Sequence, residues 1–345
     1  MKIIIVGSYR WEIYAPAFAD AFESLGHQVL RLDYENYHLK HNNFVANILN
    51  RVQDRYLYGI IVSRFNSDIV KSVRRFNPDL VFLYRCYHVY DSTICEISKW
   101  TTVFSYNNDD PFSGIPSKSF YRRNISNSRY CSLNYVYRKK NIDDYVSLGI
   151  NNTKVLLPYY LAKKNYAIEG MKRDIPIVYM GHWENDGRDN IIKNMIEAGL
   201  PVFVFGDISW SKSQYYDLIK GHLFPPKYGK DYNETMNRAK IALVFLSQIN
   251  HDKYTRRCFE IPATKTLMIS PYTDEMLSLF PENEAAVYYE NSTDLIHKCQ
   301  NLLSDDNQIH QIAEGGFSRL QEIGGSEIDR VNEIIADLIR INDEK

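Results

Sequence analysis

Long hydrophobic runs are missing from this chain of 345 residues. No stretch approaches the roughly 18 consecutive apolar residues of a membrane-spanning helix. The opening MKIIIVGSYRW is apolar only as far as Val6-Gly7, too short for a secretory signal, so the expected compartment is the cytosol. Cysteine is sparse: five residues, at 86, 95, 131, 258 and 299, form no CxxC pair and no His/Cys cluster. A disulfide framework and a structural zinc site are excluded. Charge of one sign is also lacking. The formal net charge of −1 gives no global field for nucleic acid. There is no DxD-type acidic triplet, no sequence repeat and no low-complexity tract.

What is present is an ordinary globular composition, 45% hydrophobic and 24% charged, on a chain too long for one core. The 27 tyrosines fit base composition as well as a carbohydrate-binding surface. Lys2–Val6 reads as a buried strand, Ala15–Leu25 as a helix and Gln28–Leu32 as a second strand: one βαβ unit. Helical spacing from about Phe44 to Phe76 follows. Further strands are expected at Asp79–Tyr84, Thr101–Tyr106, Arg129–Leu133 and Lys154–Leu157, with helices at Ser92–Lys99 and Ile142–Leu148. Polar residues around Tyr159–Arg173 suggest a linker. The alternation then restarts with strands at Ile175–Met180, Pro201–Phe205, Ile241–Leu246, Leu267–Ser270 and Val287–Tyr289. Helices are expected at Arg188–Ala198, Tyr232–Ala239 and Arg257–Thr264, and the tail from Thr293 is helical.

The fold class is therefore α/β: two Rossmann-like, doubly wound parallel-sheet domains, 1–165 and 174–325, facing each other across a cleft. A final helix is expected over 326–345, with apolar spacing at Val331, Ile334, Ile335, Leu338 and Ile339. Ligands in such folds bind beyond the carboxyl ends of the strands. Gly7 and Gly181 follow the first strand of each half and permit close backbone approach there. Neither opens a GxGxxG, which counts against a dinucleotide dehydrogenase.

The segment TRRCFEIPATKTLMIS, Thr255–Ser270, places two arginines and a glutamate before a buried strand. Arginine grips phosphate through a planar fork, and a carboxylate can accept two hydroxyl hydrogen bonds, as from a ribose. Arg256, Arg257 and Glu260 thus suit a nucleoside diphosphate. Equally, Arg257 and Glu260 are i,i+3 neighbours and can simply pair on a solvated face.

Asp252 and Glu260 are separated by seven residues, D-KYTRRCF-E, and Ile-Pro-Ala-Thr-Lys-Thr follows. This resembles the glycosyltransferase group 1 superfamily of GT-B fold. The Arg257-Cys258-Phe259-Glu260 element is most similar to the branch typified by spore-maturation (CgeB-like) proteins. VYMGHWENDGRDNIIKNM, NPDLVFLY, SYNNDDPF and NEAAVYYENSTDLIHKCQNLLSD resemble further segments of that branch. Two positions depart from the pattern: Asp252 replaces the usual glutamate, and Lys265 stands where glycine is usual.

The resemblance implies transfer of a sugar from a nucleoside-diphosphate sugar to a saccharide, glycan or lipid-linked acceptor, in cell-surface polysaccharide or glycoconjugate synthesis, and a final helix, 326–345, that returns toward the first domain. The second half would hold the donor through Gly181, His182, Arg188, Arg256, Arg257 and Glu260. Leu223, Phe224 and Tyr228 would form an apolar wall for the base. Asp110, Asp109 or His88 would serve as base toward the acceptor, with Asp252 as the first acid of the pair. No cofactor and no bound metal are expected, and no nucleic-acid partner. Arg122-Arg123 and Arg138-Lys139-Lys140 are basic spots that suit peripheral contact with anionic lipid on the inner face of a membrane. Two rivals stand beside this reading: a catalytically silent binding or assembly module of the same fold, and a sugar-nucleotide 2-epimerase.

Overall fold

The computed structural model describes residues 1–39, 44–113, 118–248 and 250–344. The chain divides into two units, 1–157 with 327–345, and 158–326. In the first unit come β1 (Lys2–Gly7), α1 (Ala15–Ser24), β2 (Gln28–Asp33), α2 (Phe44–Tyr56), α3 (Ile60–Phe76), β3 (Leu80–Tyr84) and α4 (Asp91–Ile97). β4 (Thr102–Asn107), α5 (Lys118–Ser128), β5 (Leu133–Val136), α6 (Lys139–Val146) and β6 (Thr153–Val155) complete its first part. The six strands form one parallel sheet in the order β2-β1-β3-β4-β5-β6. β3 and β4 are buried along their whole length, because helices cover both faces of a parallel sheet.

The second unit contains β7 (Ile175–Met180), α7 (Arg188–Glu197), β8 (Val202–Phe205), α8 (Tyr216–Ile219), β9 (Leu223–Phe224), α9 (Gly229–Arg238), β10 (Ala239–Leu243) and α10 (Arg257–Ala263). β11 (Leu267–Pro271), α11 (Asp274–Leu279), β12 (Val287–Tyr289), α12 (Ser292–Leu303) and α13 (Asp306–Glu322) follow. Its sheet, again all parallel, runs β12-β11-β10-β7-β8-β9. The strand order reverses between β7 and β10, so the loop after β7, beginning at Gly181, opens at the switch point where doubly wound sheets bind ligands. Its core gathers Ile177, Val204, Ile241, Leu243, Leu267 and Ile269 from the sheet with Ile192, Met195 and Leu295 from the helices.

The last helix, α14 (Glu327–Asp343), belongs to the first unit and packs on α1. Asp337 accepts from the Tyr135 hydroxyl and from Lys154 Nζ, each at 2.7 Å. No helix among the described residues is long and apolar enough to cross a membrane.

Three expectations shift. The strand expected at Arg129–Leu133 is a turn that follows α5, and β5 begins at Leu133. Asn134 disguises it. This polar residue is buried mid-strand because Ser105 Oγ donates to its Oδ1 at 2.6 Å and its Nδ2 donates to Ser128 O at 2.9 Å. β10 ends at Leu243, and Val244–Phe245 continue as buried loop. Finally, Tyr159–Arg173 lies inside the second unit rather than between units. Its backbone is held by α9: Tyr166 N donates to Asn233 Oδ1 at 3.1 Å and Ile168 N to Asn237 Oδ1 at 2.7 Å.

Candidate functional site

Gly181 is the centre of the site. A side chain built there would meet Tyr179 Oη at 2.5 Å and Arg257 Nη2 at 3.1 Å, so the guanidinium of Arg257 lies against the glycine backbone. Three arginines gather near this point, and the protein treats them differently.

Arg188, at the start of α7, is buried and fully engaged. Its Nε donates to Asp186 Oδ1 at 2.8 Å and its Nη2 to Asp186 Oδ2 at 2.5 Å, a two-pronged pair. Its Nη1 donates to Tyr179 Oη and to His182 O, each at 2.9 Å. Arg256 is equally committed: Nε donates to Glu260 Oε1 at 2.6 Å, and Nη2 lies 2.5 Å from the same oxygen. Arg257 is the exception. Its Nε is buried with no hydrogen-bond partner, and among the described residues no carboxylate closes a salt bridge with it.

The ion pair that spacing suggests between Arg257 and Glu260 is therefore made by Arg256 instead, and it is buried rather than solvated. Glu260 Oε2 accepts from the Tyr232 hydroxyl at 2.8 Å. Burial alone would raise the Glu260 carboxyl, but Arg256 and Arg257 outweigh it and hold the group below the usual carboxylate range. Burial, then Glu260, pushes the Tyr232 phenol well up, which keeps it a donor.

The far end of α10 is fixed as well. Arg173 Nη1 donates to Ala239 O at 2.6 Å and Thr266 Oγ1 at 2.9 Å, and its Nη2 donates to Thr264 O at 3.1 Å and Lys265 O at 2.6 Å. Lys265 adopts φ +54°, the left-handed conformation that glycine takes without penalty. Its ammonium pairs with Glu314 at 2.9 Å and lies over the Phe317 ring. That answers why a lysine tolerates a position where glycine is usual, and it directs the charge to α13 rather than to a ligand.

The other expected donor residues are spread around this point. His182 is exposed and pairs with Glu184 Oε1 at 2.9 Å. That bond and, after the opposing effect of burial, Arg188 bring the Glu184 carboxyl down to about 2. Asp252 sits in the loop before α10, its backbone N donating to Ser247 O at 3.0 Å. Leu223 and Phe224 form the edge strand β9, and Phe224 stacks on Phe203 with centroids 5.3 Å apart. Tyr228, at 74% exposure, stands at the start of α9.

In the first unit the candidate bases part company. Asp110 has no exposed surface; its Oδ1 accepts from Phe112 N and Asn141 Nδ2, each at 2.9 Å. It is the turn-forming aspartate before proline, and a base must reach the acceptor hydroxyl. Asp109 is 22% exposed and accepts from Arg85 Nη2 at 2.6 Å and the Tyr87 hydroxyl at 3.1 Å. His88 stacks on Tyr34 at 3.7 Å, and burial pushes its pKa down to about 4 against the pull of Asp54. Of the basic spots, Arg122 and Lys139 are exposed, but Arg138 is buried and donates to Asn108 O at 3.2 Å.

Sequence reading missed Tyr179, Glu184, Asp186, Tyr232 and Arg173. Asp186 carried a signal: an acid two residues before Arg188, across Gly187, can fold back onto it. Tyr232 carried none, being one tyrosine of 27.

Residues 188–324, most of the second unit, match the family model described as glycosyl transferase-like. No curated protein matches the chain by sequence. Among solved structures the chain is similar to sucrose-phosphate synthase from Thermosynechococcus elongatus (10% identity, 100% of both chains, TM-score 0.69). It is likewise similar to HepE from Anabaena in complex with UDP (10% identity, 99% of this chain and 100% of that one, TM-score 0.68). A glycosyltransferase from Rickettsia africae aligns over 100% of this chain and 99% of its own, at 13% identity and TM-score 0.67. The fold is GT-B, with two Rossmann-like units.

Proposed function

We propose that this chain is a glycosyltransferase that moves a sugar from a nucleoside-diphosphate sugar to a saccharide or lipid-linked acceptor. The observation that carries this reading is the one arginine of these three whose guanidinium no carboxylate among the described residues engages in a salt bridge. Arg257 lies against Gly181 at the switch point of the second sheet, with its Nε unpartnered, while Arg188 and Arg256 beside it are neutralised by Asp186 and Glu260. A guanidinium held this way needs an anion, and a glycine in front of it lets that anion approach the backbone.

A departing nucleoside diphosphate accumulates negative charge, and a cation fixed in place beforehand stabilises it as it forms. Arg257 takes that part. Glu260 already accepts hydrogen bonds from Arg256 Nε and Tyr232 Oη and has Arg256 Nη2 2.5 Å from its Oε1, which leaves about one of its four acceptor positions for a sugar hydroxyl. HepE is described in complex with UDP and with UDP-glucose, which makes uridine diphosphate the first nucleotide to try. The transfer proceeds without a bound metal.

Thermal shift against UDP, GDP, TDP, ADP and CMP tests the donor site. A ligand at a hundred times its dissociation constant adds about 2.7 kcal/mol. Nucleotide released from the cognate sugar nucleotide only when acceptor is present, and undiminished by EDTA, supports a metal-independent transferase. Turnover of the sugar without acceptor assigns the chain to epimerisation instead, and binding without any turnover assigns it to a silent module.

A further inference from the structure

Helix α2 wears its polarity inside out. Asn50, Gln53 and Asp54 turn inward. Asn50 exchanges hydrogen bonds with the Leu39 backbone, and Gln53 Oε1 accepts from Ile61 N at 2.7 Å. Asp54 Oδ1 accepts from the Tyr34 hydroxyl at 2.8 Å and lies 3.0 Å from His38 Nε2. The apolar residues Phe44, Val45, Ile48, Leu49, Val52 and Tyr56 point to solvent, Phe44 with 79% and Tyr56 with 71% of its surface exposed. At about 100° per residue they fill one continuous arc of roughly 140°. Ile60, at 75%, and Tyr58 extend the same surface at the turn into α3. A surface helix of a globular protein turns such a stripe toward its core, and an exposed one marks an interaction face.

Charge selects the occupant. Arg51 and Arg55 are exposed on α2, about 20° outside and about 20° inside one edge of the arc, and Arg64 is exposed on α3. Arg123 Nη2 reaches Leu57 O at 3.4 Å, which brings the basic pair of α5 beside the end of α2. Asp54 is the sole acid between residues 44 and 64, and it is committed to Tyr34 and His38. A second copy of this chain would set these arginines against their own like charges, whereas an anionic surface complements them. An apolar arc with aromatic residues at its ends and arginines along its edge is the pattern of a helix lying in the headgroup region of a bilayer.

We propose that α2, continued by Tyr58 and Ile60, docks this protein on an anionic membrane surface. The helix lies flat, its apolar arc in the acyl boundary and its arginines at the phosphates. A shallow cavity of about 440 Å³, lined by Tyr58, Ile60, Arg64 and the Ser63 and Ser67 side chains, opens at the same face and suits one headgroup.

The test is flotation of the full chain with phosphatidylcholine vesicles, with and without phosphatidylglycerol. Binding is expected only with phosphatidylglycerol, and it weakens as salt rises. Arg51→Ala and Arg55→Ala should each reduce partitioning about fivefold. The combined variant Ile48→Ser, Leu49→Ser, Val52→Ser should reduce it more than about tenfold. Circular dichroism reports whether that variant keeps its fold; if it does not, the arginine variants decide. Equal binding to both vesicle types, or binding that survives these changes, overturns the proposal. So does a dimer, seen by sedimentation without lipid, that the serine variant abolishes, because the face then belongs to a second copy. Nucleotide affinity at Arg257 is unaffected by these substitutions, so the two readings stand or fall separately.

Discussion

The carboxylate that the sequence places beside Arg257 belongs to Arg256: Arg256 Nε and Glu260 Oε1 lie 2.6 Å apart, one helical turn from each other. Arg257 is left with charge and no acceptor on its Nε. Replacing Arg257 with Ala should weaken the cognate nucleoside diphosphate about 10- to 100-fold, the worth of charged hydrogen bonds at 1.5–3 kcal/mol. The matching nucleoside should bind as before, because it has no phosphates. Calorimetry on both ligands checks this, and equal losses for the two would remove the phosphate role.

Glu260→Gln should lower the unfolding free energy by about 1.5–3 kcal/mol, because Arg256 then sits buried opposite a neutral amide. Adding Arg256→Met should recover part of the loss, since the unpaired charge goes with it. Urea denaturation of both single variants and the double gives the coupling. Losses that simply add would mean that the two side chains do not depend on each other.

His88 should make the fold acid-sensitive well above the carboxylate range. Its pKa falls from 6.5 in the unfolded chain to about 4 in the fold, chiefly through burial. Between those values the unfolded chain binds the proton and the folded one does not. Stability is therefore full above pH 6.5 and declines as pH falls toward 4, by on the order of 3 kcal/mol at roughly 1.36 kcal/mol per pH unit. Tyr34, Asp54 and His38 face the same ring, and His88→Phe keeps the stack on Tyr34 while removing the titration. Melting curves of the variant should be flatter than wild type across that window. A parallel decline in both would assign the acid loss elsewhere.

Asp110→Asn should disturb the fold more than the rate. The amide oxygen can still accept from Phe112 N, but the charge near Lys140 Nζ, 3.8 Å away, is lost from a fully buried site. A lower melting temperature with turnover within about threefold of wild type is expected. General-base loss is worth about 10²–10⁴-fold, so a fall of that size with unchanged stability would restore Asp110 as the base.

The two-sheet architecture was legible because fully buried parallel-strand segments such as Ile3–Val6, Leu80–Tyr84 and Ile177–Met180 appear as unbroken apolar runs. Where a polar residue is buried by a specific hydrogen bond, as at Asn134, the pattern breaks and β5 was displaced. The Tyr159–Arg173 segment misled for a related reason: Lys163, Glu169 and Lys172 face solvent, while Arg173 and the Tyr166 and Ile168 amides tie the segment to α9 and to the end of α10. In the site, Arg188, Arg256, Arg257 and Glu260 were visible as residue types near Gly181. Which arginine is free was not, because that depends on Asp186 and Tyr232, which reach their partners only through folded geometry. Spacing along a helix allows both Arg256–Glu260 and Arg257–Glu260; packing selects the first. Likewise α2 reads as an ordinary amphipathic helix, and only the fold reveals which face it turns outward.

The clamping of α10 at both ends has a consequence for kinetics. Arg256, Glu260 and Tyr232 fix its first turn, and Arg173 grips the carbonyls of Thr264 and Lys265 after its last. The Arg257 guanidinium, proposed to meet the phosphates, therefore rides on a short segment held at both ends and is in position before a ligand arrives. A side chain on a loose loop would have to be ordered during each encounter, which slows capture and adds a second phase. Rapid mixing with nucleotide should therefore give a single exponential, linear in nucleotide concentration and slowed by added salt.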